Sequence, residues 1–260
     1  MENFFTIIGG MGTFASMNFE QILNESIQAQ KDQDYFDYLL VNHASVPDRS
    51  SYILDHHNPS FYPALAQDIS QQNLLKPQFI VMACNTAHYF YPQLQKLTNI
   101  PILHMPFLVA MESAELYPHQ KSFGLLATKG TLHDHVYEKC FNILGKKVVL
   151  PSDSLADRVM NFIYRDVKDN NQISSKIFND ILNQARDELG VPIIILGCTE
   201  LSYAADVLSI REGILDSQLI LVQRTLELAQ YFRSQSEKVD PFLNKYKKKG
   251  DQNGLLMEVN

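Results

Sequence analysis

Short apolar runs alternate with longer amphipathic stretches along most of this chain. The runs have the length and composition of buried parallel strands, and they lie at 4–8, 38–41, 79–82, 123–126, 147–150 and 191–196. The stretches between them repeat apolar residues at helical spacing, as at 15–29, 62–71, 154–167 and 175–189. This alternation predicts βαβ units, so we expect an α/β fold with mainly parallel sheet.

One order of features occurs twice: a strand, a turn containing Gly-Thr, and a later strand that ends at a cysteine. The first copy runs from Gly12 to Cys84 and the second from Gly130 to Cys198, over similar intervals. A duplicated α/β unit leaves this order in a sequence. We therefore expect two similar lobes, each a mainly parallel four-stranded sheet flanked by helices. A pseudo-twofold axis should relate the lobes, with the active site between them.

Composition indicates where the lobes begin and end. Pro101 and Pro106 bracket a short strand, and a helical pattern at 217–234 follows the second cysteine and could return to the first lobe. The chain beyond that pattern has a lysine-rich run at 245–249 and little periodicity, which is typical of a flexible tail or a basic interaction tail. We therefore expect a first lobe formed by residues 1–106 together with 217–236. The second lobe should comprise residues 107–216, and a flexible tail should follow at 237–260.

Two cysteines carry the candidate chemistry. Cys84 and Cys198 each follow an apolar run and precede a helical pattern, and ligands bind at this carboxyl edge of open α/β sheets. The start of a helix also favours the thiolate. Either cysteine alone could be a small core residue, as we expect for Cys140 inside a helical pattern. Their duplication instead favours one active site with a thiol on each face of a substrate.

Other interpretations of the same residues remain open. The segment 10–15 matches the dinucleotide pattern G-x-G-x-x-A, although no acidic residue ends the second strand. His88 lies four residues after Cys84, so a Cys–His hydrolase is another option, but it explains neither Cys198 nor the repeat. No cysteine or histidine spacing completes a zinc site, so we expect no metal.

Composition and charge limit the class of protein. The 260 residues are 45% hydrophobic and 20% charged, which is typical of a soluble globular protein. The net charge of −7 argues against nucleic acid or an anionic membrane as a partner. No apolar run approaches the roughly 20 residues of a membrane span. Three cysteines do not make a disulfide framework, so we expect free thiols and a cytoplasmic location.

Several motifs together resemble a known family. They are Gly9-Gly10-Met11-Gly12, Pro47-Asp48-Arg49, Ala83-Cys84-Asn85-Thr86-Ala87-His88, Gly124-Leu125-Leu126-Ala127-Thr128, Ile163-Tyr164 with Val167-Lys168, and Gly197-Cys198-Thr199-Glu200. With these residues the chain resembles the aspartate/glutamate racemase superfamily, and most of all its aspartate racemase branch. Glutamate racemases of cell-wall synthesis typically open with Asp-Ser-Gly and carry Gly-Cys-Thr-His, and this chain has neither. Thr13 in place of a usual Pro, and Ser50 where Thr is common, depart from the aspartate racemase pattern.

The resemblance implies a cofactor-independent proton transfer at the α-carbon of an acidic amino acid. One thiolate would remove the α-hydrogen while the opposite thiol delivers a proton to the other face. By analogy, Cys84 would act on the D-enantiomer and Cys198 on the L-enantiomer. The resemblance also implies a homodimer.

The resemblance also assigns substrate-binding residues. The α-carboxylate would be bound by Asn85, Thr86 and Thr199, and a side-chain carboxylate by Arg49 and Lys168, while Met11, Ala87 and Glu200 complete the substrate site. Two alternatives stay open. One is a racemase of glutamate or of a broader range of amino acids. The other is a two-lobed amino-acid-binding protein without turnover.

Overall fold

The structure, a computed structural model, describes Met1 and residues 3–234. Two four-stranded sheets, parallel throughout, organise these residues. The first sheet contains β1 (Phe4–Gly9), β2 (Asp37–Asn42), β3 (Ile80–Met82) and β4 (Ile102–Leu103), and the second contains β5 (Ser122–Ala127), β6 (Lys147–Val149), β7 (Ile194–Gly197) and β8 (Ile214–Asp216). The strand orders are β2-β1-β3-β4 and β6-β5-β7-β8. Because the two orders correspond strand for strand, the predicted duplicated α/β fold is confirmed.

Helices connect the strands. They are α1 (Thr13–Glu25), α2 (Arg49–Leu54), α3 (Tyr62–Leu75), α4 (Tyr91–Gln95), α5 (Met105–Leu116), α6 (Lys129–Asp134), α7 (Val136–Ile143), α8 (Asp153–Asn161), α9 (Ser175–Leu189), α10 (Thr199–Val207) and α11 (Ser217–Arg233). A 3₁₀ helix at Thr86–Phe90 follows Cys84, and a π-helix at Phe162–Asp169 continues α8. Among the described residues, no helix is long and apolar enough to cross a membrane.

The sequence pattern missed two features near the second cysteine. It predicted one helix at 154–167, but α8 ends at Asn161 and the chain continues as a π-helix. The wider π turn leaves residues four apart nearly in line, and the Lys168 ammonium lies 4.5 Å from the centre of the Tyr164 ring. The pattern also missed β8, because Ile214 and Leu215 are its only apolar residues and too short a run to stand out.

One hydrophobic core contains side chains from both sheets. Ile7 of β1 and Leu125 of β5 belong to it, together with Phe107 of α5 and Leu221 of α11. Helix α11 packs mainly against α5 and also contacts α1 and α10. The lobe boundaries therefore stay a prediction, and the tail expected at 237–260 lies outside the described residues.

The turn after β1 requires glycine at position 10. The φ angle of Gly10 is +85°, and an added Cβ would lie 2.5 Å from backbone atoms of His43. We expect Gly10→Ala to lower the free energy of unfolding by about 2–4 kcal/mol, because a left-handed φ and a backbone collision both oppose it. Denaturant unfolding measures this change.

Gly145→Ala is the matched control for that substitution. Gly145 also has a positive φ, of +69°, but an added Cβ there meets nothing within 4 Å. Its substitution should therefore cost only about 1 kcal/mol. Equal losses for the two variants would show that the contact with His43 relaxes and that the close approach is unimportant.

Candidate active site

Cys84 and Cys198 line one cavity between the carboxyl ends of the two sheets. Cys84 follows β3, and Cys198 follows β7 at the start of α10. Each is only 4% exposed. The free space between the lining side chains is about 10 Å³, room for no more than a single water molecule. The structure therefore brings together two free thiols that are far apart in the sequence, around one tightly packed site.

Nine of the ten predicted site residues line this cavity, which are Met11, Arg49, Cys84, Asn85, Thr86, Lys168, Cys198, Thr199 and Glu200. Ala87 does not line it, because its methyl group is buried in the core beside β3. Ser50, Thr128 and Tyr164 line the cavity as well, although no role was predicted for them. All three are close to motifs that carried the resemblance: Tyr164 lies within one, Ser50 directly follows another, and Thr128 is the last residue of a third.

Glu200 holds the thiol of Cys198. The Cys198 Sγ donates to Glu200 Oε2 over 2.9 Å, and the Thr199 hydroxyl donates to the same oxygen over 3.3 Å. Burial, followed by the negative charge of Glu200, raises the pKa of Cys198 well above its ordinary value. Lys168 opposes this rise without cancelling it. Cys198 is therefore a neutral thiol at neutral pH.

Lys168 forms an ion pair with Glu200. Its Nζ lies 3.5 Å from Glu200 Oε1. Burial lowers the pKa of Lys168, but interactions with Glu200, Tyr164 and Cys198 together outweigh burial and raise the pKa above its ordinary value. An added Cβ at Gly12 would lie only 2.9 Å from Glu200 Oε1, so a glycine leaves room for this carboxylate. The pair therefore carries both charges inside the cavity.

Arg49 also lines the cavity. Its Nη2 donates to the Met11 carbonyl over 3.0 Å, and Nη1 donates to the carbonyls of Val46 and Pro47. Burial lowers the pKa of Arg49, but interactions with Cys84 and, more weakly, with Asp48, Tyr164 and Glu200 together outweigh burial and raise the pKa. The carbonyls use at most three of the five N–H groups of the guanidinium. Arg49 can therefore still donate into the cavity.

Tyr164 links the π-helix to the start of α2. Its hydroxyl donates to Asp48 Oδ2 over 2.9 Å, while Asp48 Oδ1 accepts from the Ser51 N–H and caps α2. Burial raises the pKa of Asp48, but these hydrogen bonds outweigh it, so the pKa is lowered. Burial raises the pKa of Tyr164 to about 12. The contact therefore joins a carboxylate and a neutral phenol across the two sheets.

Thr86 belongs to a cluster of three threonine hydroxyls. Its Oγ1 lies 3.0 Å from Oγ1 of Thr128 and 3.0 Å from Oγ1 of Thr131, and the latter two are 3.1 Å apart. Thr128 and Thr131 come from the end of β5 and the start of α6. Thr131 belongs to the repeated Gly-Thr turn, whereas Thr86 and Thr128 belong to motifs that carried the resemblance.

The geometry does not favour a Cys–His dyad. His88 is buried, and its Nδ1 donates to the Cys84 carbonyl over 2.9 Å. Its Nε2 accepts from the Met105 N–H over 3.1 Å. Burial lowers the pKa of His88 to about 4, so the ring is neutral. Both ring nitrogens therefore bind the backbone rather than a thiol.

Comparison with known proteins decides the family. A family model described as Asp/Glu/Hydantoin racemase matches residues 8–225. The chain belongs to this racemase family. The resemblance seen in the sequence motifs is thus confirmed, and the chain is an isomerase of the amino-acid racemase type.

Individual relatives of this racemase cover most of its length. A broad specificity amino-acid racemase of Bacillus subtilis is 23% identical over 239 residues, spanning 88% of this chain and 99% of the relative. The aspartate racemase of Picrophilus torridus has a TM-score of 0.73 and 26% identity, covering 89% of this chain and 98% of that one. A glutamate racemase isoform from Bacillus anthracis has a TM-score of 0.60 and 15% identity, covering 92% and 85%, and shares the fold.

The two thiols of this racemase have different surroundings within the cavity. Cys198 is a buried thiol that donates to a carboxylate, and the charge of the Arg49 guanidinium acts on Cys84. Within the described part of the chain, no group of three or more His, Cys, Asp or Glu side chains is arranged to hold a metal ion.

Proposed function

We propose that this racemase interconverts L- and D-aspartate by direct proton transfer between the substrate α-carbon and two cysteines. The observation that carries the proposal is the pair of buried thiols in one cavity with opposite surroundings. The charge of Arg49 acts on Cys84, while the carboxylate of Glu200 accepts from Cys198. In the proposed mechanism, Cys84 acts as the thiolate base and Cys198 as the thiol acid when D-aspartate is bound.

In this mechanism each half-reaction breaks one bond to hydrogen and forms another. The Cys84 thiolate takes the α-hydrogen from one face of the substrate, and Cys198 gives its proton to the opposite face. The thiolate and thiol have then exchanged places, and proton exchange with solvent restores the starting form. The form with the Cys84 thiolate acts on the D-enantiomer, and the form with the Cys198 thiolate acts on the L-enantiomer.

The α-hydrogen of an amino acid is only weakly acidic, so the carbanion-like transition state needs strong stabilisation. Asn85, Thr86 and Thr199 line the cavity and would donate to the α-carboxylate as negative charge moves onto it. Because the cavity is closed, these donors act where water does not compete with them. Opening of the cavity must precede substrate entry.

The charges of the cavity support an acidic substrate. Arg49 and Lys168 are cationic, and Glu200 offsets one of them. Aspartate carries a second carboxylate, to which both cations can donate charge-assisted hydrogen bonds.

A broader specificity is the second candidate. Glu200 already pairs with Lys168, and backbone carbonyls already accept from Arg49, so the side-chain site could tolerate neutral groups. A chiral assay of metal-free and pyridoxal-free protein with all the common amino acids separates the two. Aspartate should be racemised at least about ten times faster than any other substrate. A faster neutral amino acid would favour the broad enzyme, and no racemisation at all would overturn the proposal.

The pH dependence of racemisation should reflect the raised pKa of Cys198. The reaction needs one thiolate and one thiol, so kcat/KM should be bell-shaped in pH. Because burial and Glu200 raise the pKa of Cys198, its thiol persists to higher pH, and the alkaline limb should lie above the ordinary cysteine value of about 8.5. Removing the charge in Glu200→Gln should lower that pKa and move the alkaline limb to lower pH.

Glu112→Gln is a matched control for the pH measurement. Glu112 is also a carboxylate in an ion pair, with Arg224, but its side chain is 14% exposed and it lies outside the cavity. The alkaline limb of the kcat/KM profile of Glu112→Gln should coincide with that of the parent protein. A limb that stays in place, or moves to higher pH, in Glu200→Gln would contradict the assigned role of Glu200.

The homodimer, the cytoplasmic location and the lack of a cofactor remain predictions. Light scattering during size-exclusion chromatography tests the dimer directly. A non-catalytic binding protein also remains an alternative, which isotope exchange at the α-carbon would exclude.

A further inference from the structure

The side-chain amide of Asn85 is held at both ends by residues that the family motifs do not contain. Its Nδ2 donates to Ser217 Oγ over 3.0 Å, and its Oδ1 accepts from the Tyr137 hydroxyl over 2.5 Å. All three side chains are almost completely buried, with Asn85 at 2% exposure and the others at 0%. Tyr137 comes from α7 and Ser217 from the start of α11, whereas Asn85 follows the cysteine of the first sheet.

The donors and acceptors of this network allow only one orientation of the Asn85 amide. The Ser217 hydroxyl donates its hydrogen to the Leu196 carbonyl over 2.7 Å, so its oxygen must accept from Asn85. The Tyr137 phenol is neutral because burial raises its pKa, so it donates to Asn85 Oδ1. A flipped amide would place its carbonyl oxygen next to Ser217 Oγ and its NH₂ group next to the Tyr137 hydroxyl. The hydrogen of Ser217 is already donated to the Leu196 carbonyl, and an NH₂ group cannot accept from Tyr137, so both hydrogen bonds to Asn85 would be lost.

The same network also connects the two cysteines. Asn85 directly follows Cys84, and Leu196 precedes Gly197 and Cys198 in β7. The Tyr137 ring packs on Gly197, where an added Cβ would lie 3.3 Å from ring atom Cε2. Tyr137 thus contacts Gly197, which precedes Cys198, and donates to Asn85, which follows Cys84.

We propose that Tyr137 and Ser217 are positioning residues for racemisation, which keep an Asn85 N–H directed at the substrate carboxylate between the two thiols. Only one Nδ2 hydrogen of Asn85 is used by Ser217, and the other has no acceptor among the described residues. That hydrogen is available to the substrate. The inference rests on the proposed racemase reaction for its kinetic consequence, but the orientation of the amide can be measured without turnover.

Tyr137→Phe should lower kcat more than it changes KM. It removes one hydroxyl and keeps the ring packed on Gly197, so Asn85 can flip and present its oxygen to the carboxylate. Loss of one oriented donor lowers kcat by about 10- to 100-fold, whereas KM should change less than about threefold. Ser217→Ala should have the same kind of effect. A kcat within threefold of the matched control would contradict the proposal.

Each variant has a control that removes a similar buried hydroxyl outside the cavity. Tyr91 is buried and donates to the Ile102 carbonyl over 3.2 Å, so Tyr91→Phe matches Tyr137→Phe. Ser113 is buried and donates to the Ala110 carbonyl over 2.7 Å, so Ser113→Ala matches Ser217→Ala. Both controls should leave kcat within about threefold of the parent protein.

A double-mutant cycle with Asn85→Ala separates positioning from general stabilisation. If Tyr137 acts through Asn85, Tyr137→Phe should lower kcat less than about threefold once Asn85 is absent. If it merely supports the fold, its effect should be the same with and without Asn85. An undiminished effect in the Asn85→Ala background would therefore overturn the proposal.

Side-chain amide NMR tests the positioning without any turnover. In the parent protein the two Asn85 Nδ2 protons should give separate resonances, and the one bonded to Ser217 should exchange slowly with water. In Tyr137→Phe and Ser217→Ala that exchange should become at least about tenfold faster, but not in the two controls. Unchanged exchange in both variants overturns the inference, whether or not the protein racemises aspartate. A parent protein with the slow proton but no racemisation would overturn only the proposed function.

Discussion

Cys84→Ala and Cys198→Ala should each lower the racemisation rate of aspartate by at least about 10³-fold, because in the proposed mechanism each removes the proton carrier on one face of the substrate. Both thiols line the same cavity, and neither variant should disturb its other walls. Each variant keeps one thiol, so it should still exchange the α-hydrogen of one enantiomer slowly with solvent. Chiral chromatography measures the racemisation, and proton NMR in D₂O measures the exchange.

Cys140→Ala is the matched control for these variants. Cys140 is also a buried cysteine, but it lies in α7 and packs in the core that joins the two sheets. Its loss should cost about 1 kcal/mol of stability and change the rate less than about threefold. Substantial racemisation by either Cys84→Ala or Cys198→Ala would contradict the two-thiol mechanism.

Lys168→Met should lower kcat/KM for aspartate about 30- to 1000-fold, because the side-chain carboxylate loses a charged hydrogen-bond donor worth roughly 2–4 kcal/mol. The substitution also leaves Glu200 without its ion-pair partner, which should slow every substrate. The informative quantity is therefore the ratio of kcat/KM for aspartate to that for alanine. This ratio should fall at least about tenfold.

Lys129→Met is the control for the loss of a lysine charge. Lys129, the first residue of α6, forms an ion pair with Asp157 of α8 and does not line the cavity. The specificity ratio should be unchanged in this variant. Arg49→Lys is a further test, because it keeps the charge near Cys84 but loses the bonds to the carbonyls that position it. If Lys168→Met and Arg49→Lys both leave the ratio unchanged, the substrate is not chosen by its side-chain carboxylate.

The sequence was sufficient to predict the strands that carry the two cysteines. Their buried runs are apolar throughout, and a parallel sheet delivers the residues that follow its strands to one edge. That edge explains why Cys84 and Cys198 meet, although they come from different sheets. The duplicated order of turn and cysteine indicated that both sheets would face one site.

The groups that orient the site were not predictable in the same way. Tyr137 and Asn85 are 52 residues apart, and Asn85 and Ser217 are 132 apart. Their contacts depend on how α7 and α11 pack between the sheets, which no local pattern encodes. The carbonyl bonds of Arg49 were also hidden, because a sequence shows its charge but not its acceptors.

The most direct test of the account follows deuterium at the α-carbon. The parent protein is incubated with L-aspartate in D₂O, and both enantiomers are separated and analysed by mass spectrometry during the first few per cent of conversion. Transfer between two thiols predicts D-aspartate that carries one deuterium, while the remaining L-aspartate stays almost unlabelled. A D-product that retains protium, equal labelling of both enantiomers, or no exchange at all would contradict it.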